Sequence, residues 1–222
     1  MRHHMSQRDN FVYLTFALIL LLLGMALAQQ FFSSAVQHLM QSTTVITLLV
    51  AVWGVEKDKH ILRRAAVFPV AIIVTAWTTY LVDSVGGDYL LLSLMLIFFI
   101  STAYKTARQV LFTGDVDGNK ILGAICLYLL MGLIWALIYS LIEIFFPEAF
   151  NNLQHQTHWY LLLPEFVYFS FVTLTTLGFG DITPAIPLSR FFVYMQAVVG
   201  QFYIAILVAS LVGSRMNARQ HH

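Results

Sequence analysis

Long apolar stretches, separated by short polar segments, dominate the pattern of hydrophobic and polar positions. A helix rises about 1.5 Å per residue, so about 20 apolar residues cover the roughly 30 Å of bilayer hydrocarbon. Six stretches approach or exceed this length, and each predicts a membrane-spanning helix. They are Phe11–Ala28, Val36–Val55, Ala65–Val82, Tyr89–Tyr104, Ile121–Phe146 and Leu188–Val212.

Composition agrees with this pattern. Of the 222 residues, 59% are hydrophobic and only 10% are charged, whereas soluble domains carry about 25% charged residues. This excludes an ordinary soluble domain and predicts an all-α membrane protein with the lipid bilayer as its surroundings. A nucleic-acid partner is not expected.

The basic residues predict the orientation. Eleven of the twelve Lys and Arg residues precede the first stretch, follow the sixth, or lie in the loops after the second and fourth. The exception is Arg190, at the start of the sixth stretch. Because Lys and Arg favour the cytoplasmic side, we expect six spans, cytoplasmic termini and a multi-pass protein of the plasma or inner membrane.

The segment between the fifth and sixth stretches has an unusual pattern. Pro164 and Glu165 suit the first turn of a helix, and the apolar run from there to Thr176 is too short to cross a bilayer. Pro184 and Pro187 delay the next helix. The pattern predicts a re-entrant helix that dips into the membrane, followed by an extended strand that climbs out.

The extended strand contains two spaced glycines. Gly178 and Gly180 alternate with Leu177 and Phe179, and glycine tolerates left-handed backbone angles. Exposed backbone survives at membrane depth only inside protein or along a watery path. We therefore expect a column of carbonyl oxygens that replaces the hydration shell of a cation, with the Thr176 hydroxyl at its inner mouth.

The sequence TLTTLGFGD, residues 173–181, resembles the selectivity filter of the potassium-channel superfamily, whose common form is TTVGYGD. The resemblance implies that potassium is the transported ion and that no cofactor is needed. It implies a K⁺-coordinating run of Thr176, Leu177, Gly178, Phe179 and Gly180. It implies filter support from Thr175, Asp181, Tyr168 and Phe169.

Two positions depart from the common form of the filter, and a third lies behind it. Leu177 replaces valine, and Phe179 replaces a tyrosine whose hydroxyl usually anchors the strand to aromatic residues of the pore helix. Val172 occupies a position where some family members have a glutamate. No carboxyl pair between this position and Asp181 is therefore expected.

The resemblance also predicts domains and an assembly. Residues 1–118 would form a four-helix domain like a voltage sensor, and residues 119–222 would form the pore domain. One filter strand cannot surround an ion, so a homotetramer is expected. Gly200 lies where the family has a hinge glycine, and a glycine for close helix packing is the alternative.

The fourth stretch lacks the basic residues of a working voltage sensor. Lys105 and Arg108 come only at its end, where interfacial anchoring explains them. The sequence therefore predicts a potassium-selective channel that depends only weakly on voltage and is not an enzyme.

Two other functions remain open. The letters GFGD contain the GxGD pattern of intramembrane aspartyl proteases, in which Asp83 would be the partner of Asp181. A potassium transporter subunit has related pore loops, but usually four per chain.

His155 and His158 are interpreted as part of a solvated loop, with proton sensing or metal binding as the alternative.

Overall fold

The structure is a computed structural model that describes residues 10–31, 71–72, 74–75, 85–112, 118–153 and 159–220. These residues form five long helices and two short strands, β1 (Phe150–Asn151) and β2 (Thr183–Pro184), which pair in antiparallel fashion. The helices are α1 (Asn10–Phe31), α2 (Val85–Phe112), α3 (Gly118–Phe145), α4 (Trp159–Leu174) and α5 (Pro187–Gln220).

Four of the helices in the described part of the chain are long and apolar enough to cross a membrane. They correspond to the first, fourth, fifth and sixth predicted spans, and the all-helical membrane architecture is confirmed to that extent. The second predicted span and most of the third lie outside the described residues. The count of six spans therefore stays a prediction.

Helix α3 lies at the centre of the described fold and packs against α1, α2, α4 and α5. Near its start, the Thr15 hydroxyl of α1 donates to the Leu122 carbonyl (3.4 Å). Near its end, the Tyr89 hydroxyl of α2 donates to the Ile144 carbonyl (3.0 Å). Helices α1 and α3 therefore run in the same direction, and α2 runs in the opposite one.

The start of α4 was predicted wrongly. The helix begins at Trp159, five residues before the expected start, and Pro164 lies inside it. A proline here removes one backbone hydrogen bond. The additional turn buries Trp159, Leu162 and Leu163, and burying a large apolar side chain contributes about 1.5–3 kcal/mol. The apolar contacts outweigh the lost hydrogen bond.

Candidate functional site

The chain reverses direction in the middle of the fold. Helix α4 runs antiparallel to α3, because the Ser170 hydroxyl donates to the Gly132 carbonyl (2.7 Å) and the Tyr128 hydroxyl donates to the Leu174 carbonyl (3.3 Å). Tyr128 lies about ten residues, or roughly 15 Å, from the start of α3. Helix α4 therefore ends about a third of the way along α3, counted from the start of α3.

A hydrogen-bonded cap ends α4. The Leu177 amide donates to the Val172 carbonyl (2.9 Å) and the Thr176 amide donates to the Thr173 carbonyl (3.0 Å). This is a Schellman motif, in which the residue after the helix adopts left-handed angles. Here that residue is Thr176, at φ 59°. A β-branched residue in this region is strained by about 1–3 kcal/mol, and such strain is typical of functional sites.

Beyond the cap lies the glycine segment, residues 175–181. Positive φ angles recur at every second residue, at Thr176, Gly178 (φ 58°) and Gly180 (φ 80°). Among the described residues, no hydrogen bond uses the carbonyl oxygens of residues 175–180. Backbone carbonyls need partners, so these six oxygens are available to water or to a cation.

The side chains of the glycine segment face away from the rest of the chain. Leu177 is 60% exposed and Phe179 is 66% exposed. A Cβ atom added at Gly178 or Gly180 would meet no atom of the described residues within 4 Å. The backbone angle, and not lack of space, therefore explains why glycine is needed at these two positions.

The far end of the glycine segment is held by its aspartate. The Tyr168 hydroxyl donates to Asp181 Oδ2 (2.5 Å), and the Ile182 amide donates to Asp181 Oδ1 (3.0 Å). The hydrogen bond from Tyr168 lowers the pKa of Asp181 below its usual value, because it stabilises the charged carboxylate. The Tyr168 hydroxyl therefore stabilises the charged Asp181 carboxylate. The neighbouring Phe169 is instead buried beside Tyr139.

A short loop after α3 braces the same end. The Asn152 side chain donates to the Asp181 carbonyl (2.9 Å). The Glu143 carboxylate accepts the backbone amides of Glu148 (3.0 Å) and Phe150 (3.1 Å), and the latter residue begins the strand that pairs with β2. The loop, the aspartate and the end of α3 therefore form one connected frame at the Asp181 end of the glycine segment.

Sequence reasoning placed the glycine segment but missed some of its supports. Asn152 lies 29 residues from Asp181, and Tyr128 lies 46 residues from Leu174, so the sequence carries no local signal for either contact. Val172 is buried and its carbonyl serves the cap. The proposed partner Asp83, and the loop histidines His155 and His158, lie outside the described residues.

We expect Tyr168→Phe to raise the pKa of Asp181. Because this pKa is lowered, stabilisation by the contact is present above the ordinary aspartate pKa and is lost as pH falls through the lowered value. The variant lacks the hydroxyl that stabilises the carboxylate, so the pKa should return towards its ordinary range. Titration of the labelled Asp181 carboxyl carbon by NMR measures this shift.

Tyr194→Phe is the matched control, because Tyr194 is an exposed tyrosine of α5 in ring contact with Phe191. It should leave the titration of Asp181 unchanged. Equal Asp181 pKa values in wild type and Tyr168→Phe would contradict the role assigned to the tyrosine hydroxyl.

Comparison with known proteins identifies the kind of segment that contains this site. Residues 124–214 match the model of a family described as "Ion channel". This segment is similar to ion channels. It contains α4, the glycine segment and most of α3 and α5. Together with the four helices of membrane-spanning length, the match supports a multi-pass membrane channel.

A shorter part of the chain resembles a curated plant protein. Over 75 residues it is 32% identical to the two pore potassium channel c of Oryza sativa subsp. japonica. The alignment covers 34% of this chain and 16% of that protein, so the similarity spans about a sixth of the relative. No solved structure matches the chain.

Proposed function

We propose that this chain is a subunit of a potassium-selective channel, with a pore surrounded by four copies. The observation that carries the proposal is the run of six carbonyl oxygens that no described residue hydrogen-bonds, next to alternating positive φ angles. A backbone whose φ angle is positive at every second residue can point successive carbonyl oxygens to the same side. The residues proposed to coordinate the ion are Thr176, Leu177, Gly178, Phe179 and Gly180.

The surroundings of the carbonyls suit a dehydrated cation. Rings of backbone carbonyls replace the hydration shell of K⁺ in potassium channels. Thr175 and Thr176 lie at the α4 end of the segment, and Asp181 adds a negative charge at the other. The plant relative is named a potassium channel, and the TLGFGD letters resemble the potassium-channel filter. Each of these points supports potassium as the permeant ion.

Exposure of the segment supports assembly of several copies. Irregular backbone is tolerated at membrane depth only when protein or water surrounds it. Leu177 and Phe179 have little contact within their own chain, so neighbouring subunits are the proposed source of packing. Four identical segments would then enclose the ion on all sides.

A reversal-potential measurement tests this function. The purified protein is placed in a planar bilayer with potassium on one side and sodium, at equal concentration, on the other. We expect a reversal potential that reflects preference for potassium and a native mass of four subunits. Reversal near zero or near the sodium equilibrium potential, or a monomeric mass, would contradict the proposal.

We also propose that opening depends only weakly on voltage, although residues 1–118 would form a domain like a voltage sensor. Moving one charge across the membrane is worth about 2.3 kcal/mol per 100 mV, and steep gating needs three to four such charges per subunit. Helix α2 has no Lys or Arg before Lys105, and Lys105 and Arg108 are both exposed near its end. Too little charge therefore lies within the apolar part of α2.

The expected conductance–voltage curve in symmetric potassium is shallow. A double variant, Lys105→Gln with Arg108→Gln, should leave its slope unchanged. A steep sigmoid in wild type that flattens in the double variant would show a working sensor and overturn this prediction.

A further inference from the structure

A chain of hydrogen bonds, closed into a ring by the backbone of α3, joins α3, α4 and α5. The Tyr139 hydroxyl donates to Gln196 Oε1 (2.5 Å), and Gln196 Nε2 donates to the Ser170 hydroxyl (2.7 Å) and the Ser170 carbonyl (3.0 Å). The Ser170 hydroxyl donates in turn to the Gly132 carbonyl (2.7 Å). We call Tyr139, Gln196, Ser170 and Gly132 the interhelical ring. It begins and ends on α3.

The interhelical ring is fully buried and its side chains are satisfied. Tyr139, Ser170 and Gln196 have no exposed surface, and the hydroxyl and amide groups of the three side chains all take part in the ring. A buried polar group that loses its partner is costly, whereas a satisfied network favours one arrangement of its members. Rotating or sliding any one of the three helices would break at least one of these hydrogen bonds.

The sequence spacing of the ring explains how it forms. Gly132 and Tyr139 lie seven residues apart, so they share one face of α3. A Cβ atom at Gly132 would overlap the Phe171 ring of α4. Glycine therefore leaves room for the Phe171 ring, which follows Ser170 directly in the sequence.

A second contact lies one helical turn further along. Gly200 follows Gln196 by four residues on α5, and Leu174 follows Ser170 by four residues on α4. A Cβ atom at Gly200 would lie 2.6 Å from the Leu174 carbonyl oxygen. Helices α4 and α5 thus meet at a polar contact and at a tight backbone contact. The second of these is beside the cap from which the glycine segment starts.

We propose that the interhelical ring sets the depth and rotation of α4, and that Gln196 is thereby a positioning residue for ion selectivity. This inference rests on the proposed channel function. Ser170 lies on α4 only five residues before Thr175, so a displaced α4 moves the carbonyl column with it. Gln196 touches neither the column nor Asp181 in the hydrogen bonds of the ring. It acts through Ser170.

The test compares one variant that breaks the ring with one that removes its three side-chain polar groups. Gln196→Leu leaves the Tyr139 hydroxyl without its acceptor, so both tetramer melting temperature and selectivity should fall. The triple variant Tyr139→Phe, Ser170→Ala and Gln196→Leu leaves no side-chain hydroxyl or amide of the ring unpaired, so melting temperature should recover. Selectivity should stay reduced, because no side-chain hydrogen bond of the ring then fixes the position of α4 relative to α3 and α5.

The sodium-to-potassium permeability ratio, taken from bi-ionic reversal potentials, is the decisive measurement. We expect it to rise about tenfold in both variants, which corresponds to roughly one to two times the net free energy of a hydrogen bond. Ser140→Ala is the matched control, since this equally buried hydroxyl donates to Ala136 within α3 itself (2.9 Å). The control should keep the wild-type ratio. If Gln196→Leu does not assemble, the triple variant carries the test.

The outcomes separate the two proposals. A selective wild type together with an equally selective triple variant would overturn the role of the ring and leave the channel function intact. A ratio raised equally by Ser140→Ala would also overturn it, because any buried polar deletion would then suffice. A wild type without potassium preference would overturn the proposed function itself.

Discussion

Replacing Gly178 with alanine is expected to abolish potassium-selective current. Gly178 has a φ of 58°, and an added Cβ atom would meet nothing within 4 Å. The cost is therefore conformational. A left-handed angle costs an L-residue roughly 1–2 kcal/mol, or about 4–8 kcal/mol over four subunits, which is enough to turn the segment out of its alternating conformation.

Potassium flux into vesicles and the mass of the purified complex together measure the effect. We expect the tetramer to persist, because a Cβ atom at Gly178 would overlap no atom of the described part of the chain. Gly86→Ala is the matched control, since this helical glycine of α2 also has open space around it and no positive φ. Potassium flux in the Gly178 variant equal to that of the control would contradict the left-handed requirement.

Replacing Gly200 with alanine is expected to reduce both assembly and current. The added methyl carbon would lie 2.6 Å from the Leu174 carbonyl oxygen and 2.9 Å from Leu174 Cδ1. Because the first of these neighbours is backbone, a side-chain rotation cannot relieve the overlap, and α5 must move away from α4. Overpacking of this kind costs about 1–3 kcal/mol per site.

Melting temperature and open probability distinguish two roles for Gly200. Helix α5 runs unbroken through this residue, and close packing predicts a lower melting temperature of the tetramer. A gating hinge predicts normal assembly with an altered open probability. If Gly200→Ala changes open probability while melting temperature stays at the Gly86→Ala value, the packing role fails and the hinge role stands.

The interhelical ring could be predicted only in part from the sequence. Gln196 lies inside a predicted span, and a polar side chain in an apolar stretch signals a buried partner or a functional role. The partner itself could not be predicted, since Tyr139 lies 57 residues away and Ser170 lies 26 residues away. Such contacts depend on the packing of three helices and leave no periodic pattern.

Helix α4 shows how packing changes a local signal. Proline and glutamate at residues 164 and 165 are typical of a helix start, yet the helix begins at Trp159. Trp159 and Leu162 bury their side chains in the core that Tyr139 also joins. The local preference for a start at proline is weaker than the free energy gained by burying these side chains.

The sequence by itself determined where the four described helices of membrane-spanning length lie and where glycine permits a left-handed backbone. Both properties depend on neighbours a few residues away, through hydrophobic periodicity and the absence of a Cβ atom. Only the tertiary structure decided that Tyr168 holds Asp181, that Thr176 is strained, and that Gln196 links α5 to α4. Hydrogen bonds between side chains need atoms within about 3 Å and a suitable angle, and that geometry exists only after the helices have packed.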